Sequence, residues 1–184
     1  MNGNDGFQVK DETIVFTSPL FQIDAASVHC RRSGGSQRFY RLRCADWVNV
    51  VAQTPEGKIL IIRQWRYGSG AAEIEIPGGT IDAGEDPIQA GCRELLEETG
   101  YIGQDAELIG KVYPNPAIQS NMTFTVFVKN AIVAQRPRFD GMEDISCQVI
   151  GEEELWRLVD DGQIRHGLVL NALLFHQRRS RLAR

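Results

Sequence analysis

Residues 78–101 read GGTIDAGEDPIQAGCRELLEETGY and contain the most strongly marked helix of the chain. Asp86 is a good N-cap, because a short acidic side chain accepts hydrogen bonds from the free N–H groups of a first turn. Pro87 suits that turn, Gln89 completes a capping-box pattern, and Gly100 suits the left-handed position that ends a helix. Residues three and four apart share a helix face, so Glu94, Glu97 and Glu98 project together, while Cys92, Leu95 and Leu96 supply apolar contacts elsewhere. Three like charges on one patch repel unless a cation sits among them. Two readings of RELLEETGY, residues 93–101, stay open at this point. One is a solvated acidic face with Arg93 paired to Glu97 one turn on; the other is a site for a hard divalent cation, which takes oxygen ligands.

Length and composition narrow the choice of protein class. A chain of 184 residues fits one domain, or one domain with a modest extension, and can bury a full core. Its net charge of -4 predicts no broad nucleic-acid footprint, and the basic run RRSRLAR reads as a solvated terminus. Cys30, Cys44, Cys92 and Cys147 have neither CxxC pairing nor framework spacing, which argues against zinc and a disulfide scaffold and for a reducing, cytoplasmic setting. The start, MNGNDGFQVKDE, lacks the basic and apolar segments of a signal peptide, and no apolar run reaches membrane-spanning length. A soluble protein without a membrane partner is expected.

Along the chain, the first third reads as β structure. TIVFTSPLFQIDAASVHC and RFYRLRC flank RRSGGSQ, whose Gly-Gly suits a hairpin, and WVNVVAQ and KILIIRQWRY flank the turn TPEGK as further consecutive antiparallel candidates. AEIEIP alternates with period two and delivers the chain at Pro77 into the loop before the helix. Beyond the helix, AELIGKVYP, MTFTVFVKNAIV and ISCQVIG read as strands, and EEELWRLVDDG and GLVLNALLFHQRR as helices. The expected class is α+β, or a layered α/β/α domain with mixed sheets.

In residues 78–101, Gly79 is followed after five residues by Glu85, after seven more by Arg93-Glu94-Leu95, then by Glu97-Glu98 and Gly100. This pattern resembles the Nudix box, the loop–helix–loop signature of the Nudix hydrolase family; Tyr101 stands where the family more often has an aliphatic residue. The resemblance implies a Nudix-type α/β/α sandwich over residues 46–184, preceded by an antiparallel β extension over residues 1–45 that serves dimerisation. It also implies a Mg²⁺ cofactor, with Mn²⁺ as a substitute. Glu94, Glu97 and Glu98 would be the metal ligands, helped by the main-chain carbonyl of Gly78. Arg93 would orient the carboxylates, and Glu85 would tie the loop or bind a further ion through water. Glycines 78, 79 and 84 are expected to supply positive φ and room for the diphosphate.

Two further features resemble the branch that cleaves ADP-ribose and nucleoside-diphosphate sugars. One is the proline-bearing loop YPNPAIQSN, with Pro116 at the telling position, although Asn115-Pro116-Ala117 departs from the Ser-Pro-Gly type of the branch. The other is the β extension followed by RQWRY, in which Arg66 matches an arginine that contacts the diphosphate. Trp47 and Tyr67 are candidates for stacking a base. In FDGMEDIS, Glu143 resembles the catalytic glutamate that a loop brings over the metals, with Glu98 as the alternative base. His166 and His176 read as structural. The resulting expectation is a homodimeric enzyme hydrolysing a nucleoside diphosphate linked to a sugar, ADP-ribose first, to AMP and ribose 5-phosphate. The alternatives are another Nudix substrate (GDP-mannose, NADH, a dinucleoside polyphosphate or a nucleoside triphosphate) or a nucleotide-sensing domain without catalysis.

Overall fold

The computed structural model describes residues 6–139, 141 and 144–182, which form two compact units. The first holds residues up to 45 together with 113–122. Its strands β1 (Phe7–Thr17), β2 (Phe21–Cys30) and β3 (Ser36–Cys44) form one antiparallel sheet in that order. The stretch TIVFTSPLFQIDAASVHC is not a single strand. Pro19 cannot donate to a ladder, and the Ser18 hydroxyl both donates to the Phe21 carbonyl and accepts from the Phe21 N–H at 3.0 Å, so the chain reverses between β1 and β2. The segment around Gln119 joins β3, with Leu42 N–H donating to Ile118 O at 2.7 Å. Within this sheet Asp24 is buried, and the Gln22 amide, Arg41 and Arg43 hold its carboxyl down at about 2.

The second unit holds residues 46–112 and 123–184 and contains two sheets. In one, β7 (Gly78–Thr80), β4 (Trp47–Ala52), β9 (Thr123–Val133) and β8 (Tyr101–Val112) are neighbours in that order, with β4 parallel to β9 and the other pairs antiparallel. In the other, β5 (Ile59–Arg66) lies antiparallel between β10 (Ile145–Ile150) and β6 (Ala71–Glu75). Helices α1 (Pro87–Thr99), α2 (Glu152–Asp160) and α3 (Gly167–Leu182) complete the unit.

Strand alternation assigns the layers. Val48, Val50 and Ala52 fall in the core cluster that contains Ala90 and Leu95 of α1, whereas Val51 falls in the cluster that contains Val169, Ala172 and Leu173 of α3. Val126 and Val128 of β9 face the first cluster and Phe127 the second. Strands buried on both faces between helices make the α/β/α sandwich with mixed sheets. Each fully buried aliphatic side chain contributes about 1.5–3 kcal/mol.

The expected hairpin of β4 with β5 does not form. The turn itself is present, with Thr54 N–H bonded to Lys58 O at 2.8 Å and Gly57 at φ 77°, but only the isolated bridge Gln53–Ile59 joins the two strands. Both strands carry apolar residues on both faces, and each is central in its own sheet, flanked on both sides by other partners.

Helix α1 begins and ends as its residues require. The Asp86 carboxylate accepts from Ile88 N–H at 2.9 Å and Gln89 N–H at 3.3 Å. Gly100 has φ 74° and donates to Leu96 O at 2.9 Å. A Cβ at Gly100 would lie 2.1 Å from Gln135 O, because the chain beyond β9 docks there, with Ala134 and Gln135 N–H groups donating to Gly100 O. Gly100→Ala combines a left-handed backbone with a clash against main chain. It is expected to destabilise the protein by roughly 2 kcal/mol or more, read as a lower urea midpoint at unchanged slope; an unchanged midpoint would refute this account of the cap.

Candidate active site

The short strand β7 brings the glycine pair to the edge of β4, in the register Asn49–Gly78, Val48–Gly79 and Trp47–Thr80. Close approach, not positive φ, is what this pair supplies. Only Gly84 of the three loop glycines has a left-handed φ, of 83°. A Cβ on Gly79 would sit 2.3 Å from the Glu94 carboxyl carbon, and one on Gly78 2.3 Å from Val48 O.

Arg93 organises the acidic groups. Its Nε and Nη2 donate to the two Glu85 oxygens at 3.0 and 2.9 Å, its Nη1 to Glu94 Oε1 at 2.8 Å and Glu97 Oε2 at 3.2 Å, and Nη2 also to Thr80 O at 3.1 Å. Such a planar fork suits several carboxylates at once. Glu85 accepts in addition from Asp82 N–H at 3.1 Å, which closes the loop ahead of α1. Bonding to Arg93 foremost, then to the Asp82 N–H, lowers the Glu85 pKa, and the Glu85 contact first of all raises that of Arg93. Glu98 is buried and accepts from Gly78 N–H at 2.8 Å. Burial, with Glu98 close by, pushes the Cys147 thiol up to about 11, so it is a neutral packing group.

Glu94, Glu97 and Glu98 line one cavity of about 650 Å³ together with Gly78, Gly79, Thr80, Arg93, Trp47, Gln64 and Arg66. Among the described residues no three carboxylate, imidazole or thiol groups converge on one point, since Glu94 and Glu97 lean on Arg93 while Glu98 turns to Gly78. Arg66 is held in plane by Glu75, its Nε and Nη2 donating to the two carboxylate oxygens at 2.8 and 2.7 Å. Its guanidinium also lies 5.8 Å from the Trp47 ring centre. The Trp47 indole N–H donates to Asn49 Oδ1 at 3.0 Å, and Asn49 Nδ2 to Leu168 O at 3.1 Å, which fixes the ring.

Arg138 and Phe139 also line this cavity, although sequence reasoning assigned them nothing. The Arg138 N–H donates to Glu97 O at 2.8 Å, so the tail of α1 carries them to the rim. No local pattern in RPRF marks that docking; Gly100 is its one sequence signal. Glu143 lies outside the described residues. Pro116 belongs to the first unit, in the turn where Gln119 N–H bonds Asn115 O at 2.8 Å, and it lines a cavity of about 210 Å³ with Arg41, Tyr40 and Asp24. Tyr67 is 90% exposed and packs edge-on against Trp65. No described helix is long and apolar enough to cross a membrane.

The cavity is walled by a glycine turn and by three glutamates of one capped helix, with a single arginine bracing two of them, an oxygen-rich site of the loop–helix–loop type. The NUDIX domain family model matches residues 45–172, and the chain belongs to the Nudix family, as a Nudix hydrolase. It is 28% identical over 131 residues to the ADP-ribose pyrophosphatase of Bacillus subtilis (strain 168), covering 71% of each chain. It is 46% identical over 99 residues to the methanol dehydrogenase activator of Bacillus methanolicus, covering 54% of this chain and 52% of that one. It is 30% identical over 123 residues to the ADP compounds hydrolase NudE of Escherichia coli (strain K12), covering 66% of this chain and 62% of that one. The crystal structure of an ADP compounds hydrolase shares the fold, with a TM-score of 0.85 and 20% identity over 95% of this chain and 94% of that one.

Two arginine-paired carboxylates of the second unit, Glu85 beside Arg93 and Glu73 beside Arg165, also set a pH dependence. A carboxyl whose folded pKa is lowered adds stability that is complete above its unfolded value, about 4.3 for Glu, and drains away as pH falls through the folded value. Glu85, lowered chiefly by Arg93, and Glu73, lowered to about 2 chiefly by Arg165, both act in this direction. The melting temperature should therefore fall from about pH 5 to pH 3. Glu85→Gln should melt lower at neutral pH and fall less steeply, and parallel profiles for the two proteins would remove Glu85 from the account.

Proposed function

We propose that this protein hydrolyses the diphosphate of ADP-ribose, or of a closely related nucleoside diphosphate sugar, with Mg²⁺ or in its place Mn²⁺, in a cytoplasmic setting. One observation carries the reading: Glu94, Glu97 and Glu98 line a single cavity beside the Gly78–Gly79 turn. The donor set fits a hard cation, being all oxygen and more acidic than Arg93 alone offsets. Glu94, Glu97 and Glu98 with the Gly78 carbonyl would hold the metal. When bound, it supplies Lewis-acid neutralisation of phosphoryl charge and eases deprotonation of water.

The remaining roles fall to this chain's own groups. Arg93 sets the carboxylate orientations, and Glu85 sets Arg93 and the loop. Arg66, held flat by Glu75, presents a guanidinium to the diphosphate, with Trp47 beside it as a binding surface. Pro116 is assigned to substrate binding by family resemblance alone. The base is Glu143, with Glu98 as the alternative; it takes a proton from the water whose oxygen bonds to one phosphorus while the bridging P–O bond breaks. ADP-ribose and one water thus give AMP and ribose 5-phosphate. The similarity to relatives named ADP-ribose pyrophosphatase and ADP compounds hydrolase supports that substrate class.

A homodimer is proposed through the first unit. Phe7, Val9 and Phe16 of β1 and Phe39 and Tyr40 of β3 are each about half exposed, which is much apolar surface for one small sheet. Light scattering at micromolar concentration should give twice the chain mass, and Val9→Glu with Phe39→Glu should give a monomer. A monomeric wild type would count against this assembly.

The activity test is turnover of ADP-ribose, GDP-mannose, UDP-glucose, NADH, diadenosine polyphosphates and dGTP, with Mg²⁺ and with EDTA. ADP-ribose or a nucleotide sugar should lead, EDTA should abolish it, and Glu97→Gln should lower turnover by about two orders of magnitude or more with the fold intact. Near-normal turnover in that variant would remove Glu97 from the metal site.

A further inference from the structure

A second cavity, of about 620 Å³, adjoins the acidic one in the same unit and shares Trp47 and Arg66 with it. The rest of its wall comes from the β5–β6 turn, including Ser69, from Glu73 and Glu75 of β6, and from Arg165 to Leu168 at the start of α3. The function proposed above uses Arg66, with Glu75 behind it, and Trp47, and leaves the remainder without a task.

The chemistry of this wall is specific. Glu73 and Glu75 are both buried, at 6% and 2% exposure, where an ionised carboxylate needs partners. Arg165 answers Glu73, its Nε and Nη2 donating at 2.9 and 3.0 Å. Glu75 receives Arg66 on one side, and on the other His166 Nδ1 stands 3.6 Å from its Oε2, too far for a good hydrogen bond. That Nδ1 is buried and has no hydrogen-bond partner among the described residues, while the His166 side chain keeps 36% of its surface. His166 lines the cavity, and its partly exposed ring forms one edge of the wall. Ser69 is exposed on the turn; its hydroxyl stands 3.4 Å from Arg66 O and also helps Arg165 hold Glu73 ionised. Glu75 therefore links Arg66, on the wall of both cavities, to His166, on the wall of the second alone.

We propose that this second cavity seats a ribose bonded to the scissile diphosphate, its vicinal hydroxyls met by His166 and Ser69 and its carbon face by Trp47 and Leu168. The assignment rests on the diphosphate reading above. With the phosphates at Arg66, the next group of the substrate on either side is a pentose, which must enter a space adjoining Arg66. An apolar wall with a few convergent polar groups is what a sugar requires. ADP-ribose carries two such pentoses, one in each product.

Titration calorimetry of AMP and of ribose 5-phosphate, in Mg²⁺, tests the assignment on the wild type, His166→Ala, His166→Gln and Ser69→Trp, with folding checked by circular dichroism. The expected result is that one product, and not the other, loses about tenfold in affinity in His166→Ala and in Ser69→Trp. His166→Gln, which keeps a polar group at that edge, should recover most of that loss. The product that weakens names the arm of the substrate that the cavity holds. Equal weakening of both products would mean that the substitutions act through Glu75 on Arg66, and would overturn the proposal. So would unchanged binding of both, or a wild type that binds neither. Should His166→Ala fail to fold, Ser69→Trp decides alone, since its site is an exposed turn. A wild type that binds a ribose phosphate as described yet turns over no diphosphate would refute the hydrolase reading and leave the cavity assignment standing.

Discussion

The guanidinium of Arg93 is the contact on which the candidate site depends. One planar group bonds Glu85 from the loop, Glu94 and Glu97 from its own helix, and the carbonyl of Thr80 from β7. Loop, helix and edge strand are thus tied at a point where three carboxylates would otherwise repel. The glycine pair makes the tie possible, because a side chain on Gly79 would occupy the place of the Glu94 carboxyl. Removing the charge of Arg93 would leave acidic groups pressed together with less to offset them, so its structural and chemical contributions cannot be separated by substitution alone.

Helix α1 was legible in the sequence because its signals are local. Asp86 caps its own first turn, Gly100 ends the helix, and the spacing of Glu94, Glu97 and Glu98 decides which side chains share a face. Strand pairing was less legible. A short turn such as TPEGK ordinarily joins hairpin partners, yet β4 and β5 belong to different sheets. The apolar runs in WVNVVA and ILII are the marks of central strands buried on both faces, and these outweigh the turn. The reversal at Pro19 and the start of β1 at Phe7, inside a polar stretch, depend on pairing with β2, which composition does not register.

Tertiary contacts also account for what sequence reasoning passed over at the cavity. Arg138 and Phe139 reach its rim because the chain beyond β9 hangs on Gly100 and on the Glu97 carbonyl, more than thirty residues earlier. His166 likewise read as a structural residue near a helix start; its relation to Glu75 exists only because α3 begins beside β6. The alternation in AEIEIP was visible, but not that two of its glutamates would be buried with arginines from β5 and from the segment before α3.

The parallel pairing of β4 with β9 has a consequence for how the chain acquires its structure. Residues 47–52 lie beside residues 123–128, with the whole of α1 and β8 between them in sequence. Closing so long a loop costs conformational entropy before any of the core reward is returned, and such non-local pairings slow folding. During synthesis β4 would emerge well before β9, with Val48, Val50 and Val51 ready for burial and one edge open. The strand at the centre of the finished sandwich is therefore the one most in need of protection while the chain is still being made.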